Sequence, residues 1–203
     1  MRFTFKFAQK FIVAMKINGR LENNRGSIIP YLLIISPAIL FIIYQLGNQL
    51  SIVNKEQTRI RTLTAMTMIQ LNLTAYLKDP QAWSKTIADP ANANMNCLRN
   101  HSNCVVGDEG NFQLNDAAGN AVYSSVSSSS GFHTGGGTCN NYGSVLSGRQ
   151  CLIRVNLSWQ ADCSLPCTPT RVKVIGDFAV TSQINQVELN TNPYNFDFFL
   201  NVP

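Results

Sequence analysis

The sequence predicts an α+β protein. One long N-terminal helix, membrane-spanning in its first half, packs on an antiparallel β-sheet head domain with disulfides. Three observations point there. Residues 27–46 form an uncharged apolar run, and helical spacing continues behind it to residue 78. The last third of the chain alternates apolar and polar residues with a period of two. All six cysteines lie after the helix and none before it.

Residues 1–26 read as a basic leader. Arg2, Lys6, Lys10, Lys16, Arg20 and Arg25 stand against one acid, Glu22, so this segment holds the whole formal net charge of +5. The remainder is neutral, with ten basic and ten acidic residues. The high pI therefore belongs to the leader, and no nucleic-acid partner is expected. Basic residues before a span hold that side in the cytoplasm, which puts the rest of the chain across the membrane. The longest uncharged apolar stretch of the leader, residues 11–15, is too short for the core of an ordinary secretory signal. Two readings follow: a cytoplasmic tail, or a leader removed after Gly26.

Residues 27–46 are the span. Twenty residues of helix rise about 30 Å, the thickness of a bilayer hydrocarbon core. Pro30 falls in the first turn, where a missing N–H costs little. Pro37 is interior and should kink or locally unwind the helix. Gly47-Asn48 is a second weak point.

Residues 47–78 change character. Leu50, Val53, Ile60, Leu63, Met66, Ile69 (or Gln70), Leu73 and Leu77 recur at helical spacing, while Lys55, Glu56, Arg59 and Arg61 decorate other faces. A one-sided stripe must pack against something, and the head is the nearest candidate. Asp79-Pro80 ends the helix, because the residue before a proline is pushed out of the helical region. A helix over residues 27–78 would be about 78 Å long.

The head, residues 79–203, begins with a short helix anchored by Trp83 and Ile87, four apart. Residues 111–126 read as a hairpin. Phe112 and Leu114 lead into an Asp116–Asn120 turn, and Tyr123 lies on the way out. Residues 124–148, with their SSSS and GGG runs, read as a long mobile loop pinned only at Cys139. Strict alternation over residues 151–161 (Cys151, Ile153, Val155, Leu157, Trp159, Ala161) is the cleanest strand signal. A second strand places Val172, Val174, Phe178 and Val180 on one face. A third does so with Tyr194, Phe196, Phe198, Leu200 and Val202. Short connections favour antiparallel pairing.

Six cysteines confined to the exported side suggest disulfides. Sequence neighbours are the favoured partners: Cys97 with Cys104, Cys139 with Cys151, Cys163 with Cys167. The rival is a metal site built from Cys163, Cys167 and another pair, which an oxidising compartment disfavours. Neither His101 nor His133 has a nearby Ser or Cys to form a nucleophile–base pair, so both read as loop residues. Gly135-Gly136-Gly137 lacks the Lys-Ser/Thr sequel of a phosphate loop. Asp108, Glu109, Asn111, Asn115, Asp116 and Asn120 are rich in oxygen but lack calcium-loop spacing, and read as solvated turn residues. The sequons at Asn72 and Asn156 fall on a helix and a strand and are discounted. No catalytic residue, cofactor or metal is expected.

The order of these parts resembles type IV pilins and the pseudopilins of type II secretion systems. It comprises a basic leader ending in Gly26, an uncharged span immediately behind it, an amphipathic continuation and a β-rich head with cysteines. The resemblance implies cleavage between Gly26 and Ser27 by a prepilin peptidase. It implies insertion in the inner membrane, with the head in the periplasm. After assembly the subunit would stand in a filament or at the cell surface, packed with other pilin-like subunits through the apolar helix. The family usually has Phe at the first mature position and Glu at the fifth, where this chain has Ser27 and Tyr31. The Glu is thought to pair with the N-terminal amine of a neighbour, so its absence suits a minor or tip subunit. The competing classes are a permanently anchored periplasmic domain holding a ligand through the Ser/Gly loop or through Tyr123 and Tyr142, and an enzyme.

Overall fold

The computed structural model describes residues 28–105, 107–146, 149–163, 166–181 and 189–203. Two units divide at residues 52 and 53. Helix α1 (Ile28–Lys78) supplies the described part of the first and opens the second. It runs without a break through Pro37 and Gly47. Its predicted stop is observed. Asp79 takes an extended conformation and its carboxylate accepts a hydrogen bond from Gln81 N at 2.9 Å. It thereby caps α2 (Pro80–Ala88), whose first residue is the proline that needs no partner.

Within the second unit, α1 buries Thr62, Met66, Ile69, Leu73 and Leu77, a stripe with steps of three and four, and Ala65 beside it. The stripe expected from the sequence started earlier, at Leu50. Instead Leu50, Val53 and Ile60 are more than half exposed. Helical spacing reports a shared face but not where the partner surface starts. Four threonines turn their hydroxyls back on the helix. Thr58, Thr62, Thr64 and Thr67 donate to the carbonyls of Asn54, Thr58, Ile60 and Leu63. Fully buried Thr62 thus leaves no unpaired donor.

The opposing layer is an antiparallel sheet. Its long strand is β7 (Arg149–Ala161), flanked on one edge by β8 (Arg171–Val180) and then by β9 (Phe196–Asn201). The other edge of β7 carries β1 (Glu109–Asn111) and β4 (Gly131–His133), with β5 (Thr138–Cys139) beside β4. Strand β6 (Val145–Leu146) pairs with the start of β7. Ile153, Val155, Leu157 and Trp159 of β7 join Val172, Val174 and Phe178 of β8 in one core cluster with the α1 stripe. A separate hairpin pairs β2 (Gln113–Asn115) with β3 (Ala121–Ser124) across the expected turn. Between α2 and β1 lie a short 3-10 turn, Ala93–Met95, and α3 (Asn96–Arg99), which bury Met95 and Leu98.

Two expectations need correcting. The Ser/Gly segment is not simply a loop. Its middle forms β4, with Phe132 buried opposite Ile153. Gly131 makes this approach feasible, since a Cβ there would meet Ile153 O at 2.8 Å. Asp108 to Asn111 are likewise not free turn residues, because β1 is laid against β7 from Gln160 to Ser158. A second glycine matters on β8. Phe196 of β9 faces Gly176, and its ring occupies the space that a side chain on Gly176 would need.

The α1 stripe carries the prediction of this section. Leu73→Ala should destabilise the head by about 2–5 kcal/mol, because Leu73 is only 2% exposed. Leu71→Ala, 64% exposed on the same helix, should change it by less than about 0.5 kcal/mol. Urea denaturation of residues 53–203 measures both. Equal effects would mean that the stripe is not the packing face.

Candidate functional site

Among the described residues of the first unit, no side chain covers the helix. From Ile35 to Gln57 every described residue of α1 is exposed. Leu40, Phe41, Ile42, Ile43 and Tyr44 are each between 56% and 66% exposed, and five successive residues point to every side of a helix. No charged residue occurs before Lys55 in this helix. Glu56 and Arg59, 3.6 Å apart on successive turns, mark where water-compatible chemistry begins. By length and composition the helix can cross a membrane. An apolar surface on all sides needs a lipid or protein surround, since water around it would be costly. Gly26 and Ser27 lie outside the described residues, as does the side chain of Tyr31.

The head joins its six cysteines as sequence neighbours: Cys97 to Cys104, Cys139 to Cys151, Cys163 to Cys167. Cys97, Cys104 and Asp108 converge, but two of the three sulfur and oxygen ligands are consumed in a disulfide. The oxygen-rich residues do not share a site. Asp108 accepts from Val105 N at 2.7 Å, while Asp116 and Asn120 close the β2–β3 turn between themselves. Hydrogen bonds from Asn120 hold the Asp116 carboxyl below the usual carboxylate range.

Of the residues named for the ligand-binding reading, Tyr123 is buried. It is 3% exposed, and its hydroxyl donates to Val155 O at 2.7 Å while accepting from Val155 N at 3.1 Å. Burial pushes its pKa up. It is a fastener between β3 and β7, with its ring stacked on Phe132 at 4.5 Å. Tyr142 is half-buried under the Arg154 guanidinium, 6.0 Å from its ring centre, and Arg154 also donates to Ser128 O. These contacts tie the serine run to β7. His133 sits in β4 and its Nδ1 accepts from Gly135 N. His101 occupies a left-handed turn with φ of 48°. The two histidines are placed by backbone needs.

A polar network between α2 and the hairpin was not anticipated from sequence. Asn92, fully buried, donates to Thr86 O and Gln113 O and accepts from Gln113 N. Asp89 accepts from Asn115 at 2.5 Å, Gln113 at 3.1 Å and Ala91 N at 2.8 Å. Arg99 donates to the carbonyls of Ile87, Asp89 and Asn92. The only cue was the density of Asn and Asp in residues 89–96, which favours side-chain capping of turns. No family model, curated protein or solved structure matches this chain.

The network has a pH signature. The Asn115 hydrogen bond foremost, then that from Ala91, lowers the pKa of Asp89 from 3.8. A depressed carboxylate contributes stability that is present above its unfolded pKa and lost as pH falls through the folded value. Acidification from about pH 7 to about pH 2 should therefore lower the Tm of the head. Asp89→Asn should start from a lower Tm at neutral pH, because an amide cannot accept all three donors, and should lose less on acidification. Parallel Tm curves for the two proteins would refute this role.

Proposed function

We propose that this chain is a non-enzymatic structural subunit of a type IV pilus or a type II secretion pseudopilus. It is held in the inner membrane by its apolar helix before assembly and packed against other pilin-like subunits afterwards. The single observation that carries this reading is the character of α1. It is apolar and exposed on all sides over residues 35–46, then one-sided where it enters the core of the head. A helix that serves only as an anchor has no need to continue as the central packing element of the exported domain. A filament subunit uses one helix for both. The head supports the reading by what its side chains do: Tyr123, Arg154 and the Ser/Gly segment are engaged in holding the fold together. Leader removal between Gly26 and Ser27 belongs to the same proposal, as does a minor or tip position, which rests on Tyr31 standing where the family has Glu.

Shearing intact cells separates this reading from a permanently anchored binding or adhesion domain. A filament subunit is expected in the sheared fraction together with other pilin-like chains. Retention of the whole pool in the membrane pellet would favour the anchored domain. Leu40→Asp should weaken insertion, lowering the membrane-inserted fraction, because an acidic residue at the centre of a span costs about 2.5–3.5 kcal/mol.

A further inference from the structure

Cys104 and Cys167 face one another in an isolated antiparallel bridge. Their backbones exchange both hydrogen bonds, Cys104 N to Cys167 O at 2.8 Å and Cys167 N to Cys104 O at 3.2 Å. Residues paired in this way have Cα atoms about 5.5 Å apart and carry their side chains on one face. A disulfide spans Cα separations of about 4.4–6.8 Å. Yet these two residues are not joined. Cys104 is bonded to Cys97, and Cys167 to Cys163. The bridge therefore brings together one half of each of two separate disulfides.

Access differs among the four. Cys104 is fully buried, whereas Cys97, Cys163 and Cys167 are half-buried, so the Cys163–Cys167 bond offers an external thiol two reachable sulfurs and the Cys97–Cys104 bond only one. Asp108 supplies the remaining element. Its Oδ2 lies 3.9 Å from Cys97 Sγ and is fixed by the donor Val105 N. A disulfide sulfur has no proton to donate, so this contact becomes a hydrogen bond only if Cys97 is released as a thiol. The carboxylate also disfavours a thiolate at Cys97, and the thiolate is the form that attacks disulfides.

We infer that the head contains a redox-triggered disulfide exchange from Cys97–Cys104 to Cys104–Cys167. An external dithiol first reduces Cys163–Cys167, becoming a disulfide itself and leaving two thiols. The Cys167 thiolate then attacks Cys104 Sγ. The Cys104–Cys167 bond forms, the Cys97–Cys104 bond breaks, and Cys97 leaves with the electron pair and takes a proton, held by Asp108. The products are one bond, Cys104–Cys167, and two thiols, Cys97 and Cys163. Closure draws the Cβ atoms of this hydrogen-bonded pair from about 5.5 Å, the wide end of the range, to about 3.8 Å, a shift taken up in the two flanking segments. The exchange replaces a link of sequence separation 7 with one that closes a loop of about sixty residues, from the segment before β1 to the segment entering β8. A mild reductive signal would thus tie the two sides of the sheet together.

Graded dithiothreitol treatment of the full chain in detergent, quenched with an alkylating reagent and mapped by non-reducing mass spectrometry, tests this. The expected result at partial reduction is a Cys104–Cys167 linked peptide, with Cys97 and Cys163 alkylated in a ratio of about one to one. Among the described residues Cys139–Cys151 has no such facing cysteine bridge, so it should not exchange, and any direct reduction of it should alkylate Cys139 and Cys151 together. Alkylation of Cys163 and Cys167 together, with Cys97–Cys104 intact until the head unfolds, would overturn the inference. In Cys163→Ser, Cys167 starts without a partner. Alkylation at Cys97 and a Cys104–Cys167 link are expected there without reductant, and alkylation confined to Cys167 would contradict them. Should that variant misfold, the graded reduction of the unaltered chain decides alone.

Discussion

The head depends on the row of side chains that α1 lays on the sheet. Met66, Ile69, Leu73 and Leu77 are at most 2% exposed and share one cluster with Val155, Leu157 and Trp159 of β7. A sheet with one apolar face must bury it against another layer, and here that layer is mainly a single helix. Trp159 is the largest buried side chain, and its Nε1 finds no hydrogen-bond partner among the described residues. An unmet buried donor costs about 1–3 kcal/mol, comparable with what the burial of one large apolar side chain contributes.

The same backbone meets a second demand upstream, where residues 40–44 are exposed and apolar on every side. Burial of a stripe and exposure of a full apolar cylinder call for different sequence patterns, and the change falls where Lys55, Glu56 and Arg59 first introduce charge. Proline is absent beyond Pro37 until Pro80, so nothing in the chain breaks the helix between the two patterns. The disulfides act where the helix cannot. They close separations of 7, 12 and 4 residues in segments too polar to hold themselves by apolar burial. Cys139–Cys151 is the clearest case, joining β5 to the start of β7 across a glycine-rich segment.

Much of this was legible in the residues. The alternation from Cys151 to Ala161 needed only the period of a strand, and Asp79-Pro80 needed only the steric limit that proline sets. Three features were not legible. Leu50, Val53 and Ile60 continue the helical spacing of the buried stripe but lie outside the covered region, because spacing reports a face and carries no information about what opposes it. Strand β4 was hidden in low-complexity sequence, because its value is in missing side chains: Gly131 lets its backbone approach Ile153, and only Phe132 signals burial. The contacts of Asn92 with Gln113 and of Asp89 with Asn115 join residues more than twenty apart, which no local pattern encodes.

The central claim is that one helix serves membrane, assembly and head, starting at a processed terminus. The mass of the N-terminal peptide of the native protein tests it most directly. The account requires a mature chain beginning at Ser27, with the basic segment removed and its six cationic side chains absent from the assembled subunit. A native chain that still begins at Met1 would contradict it, because the leader charges could not then leave the cytoplasmic face with the helix.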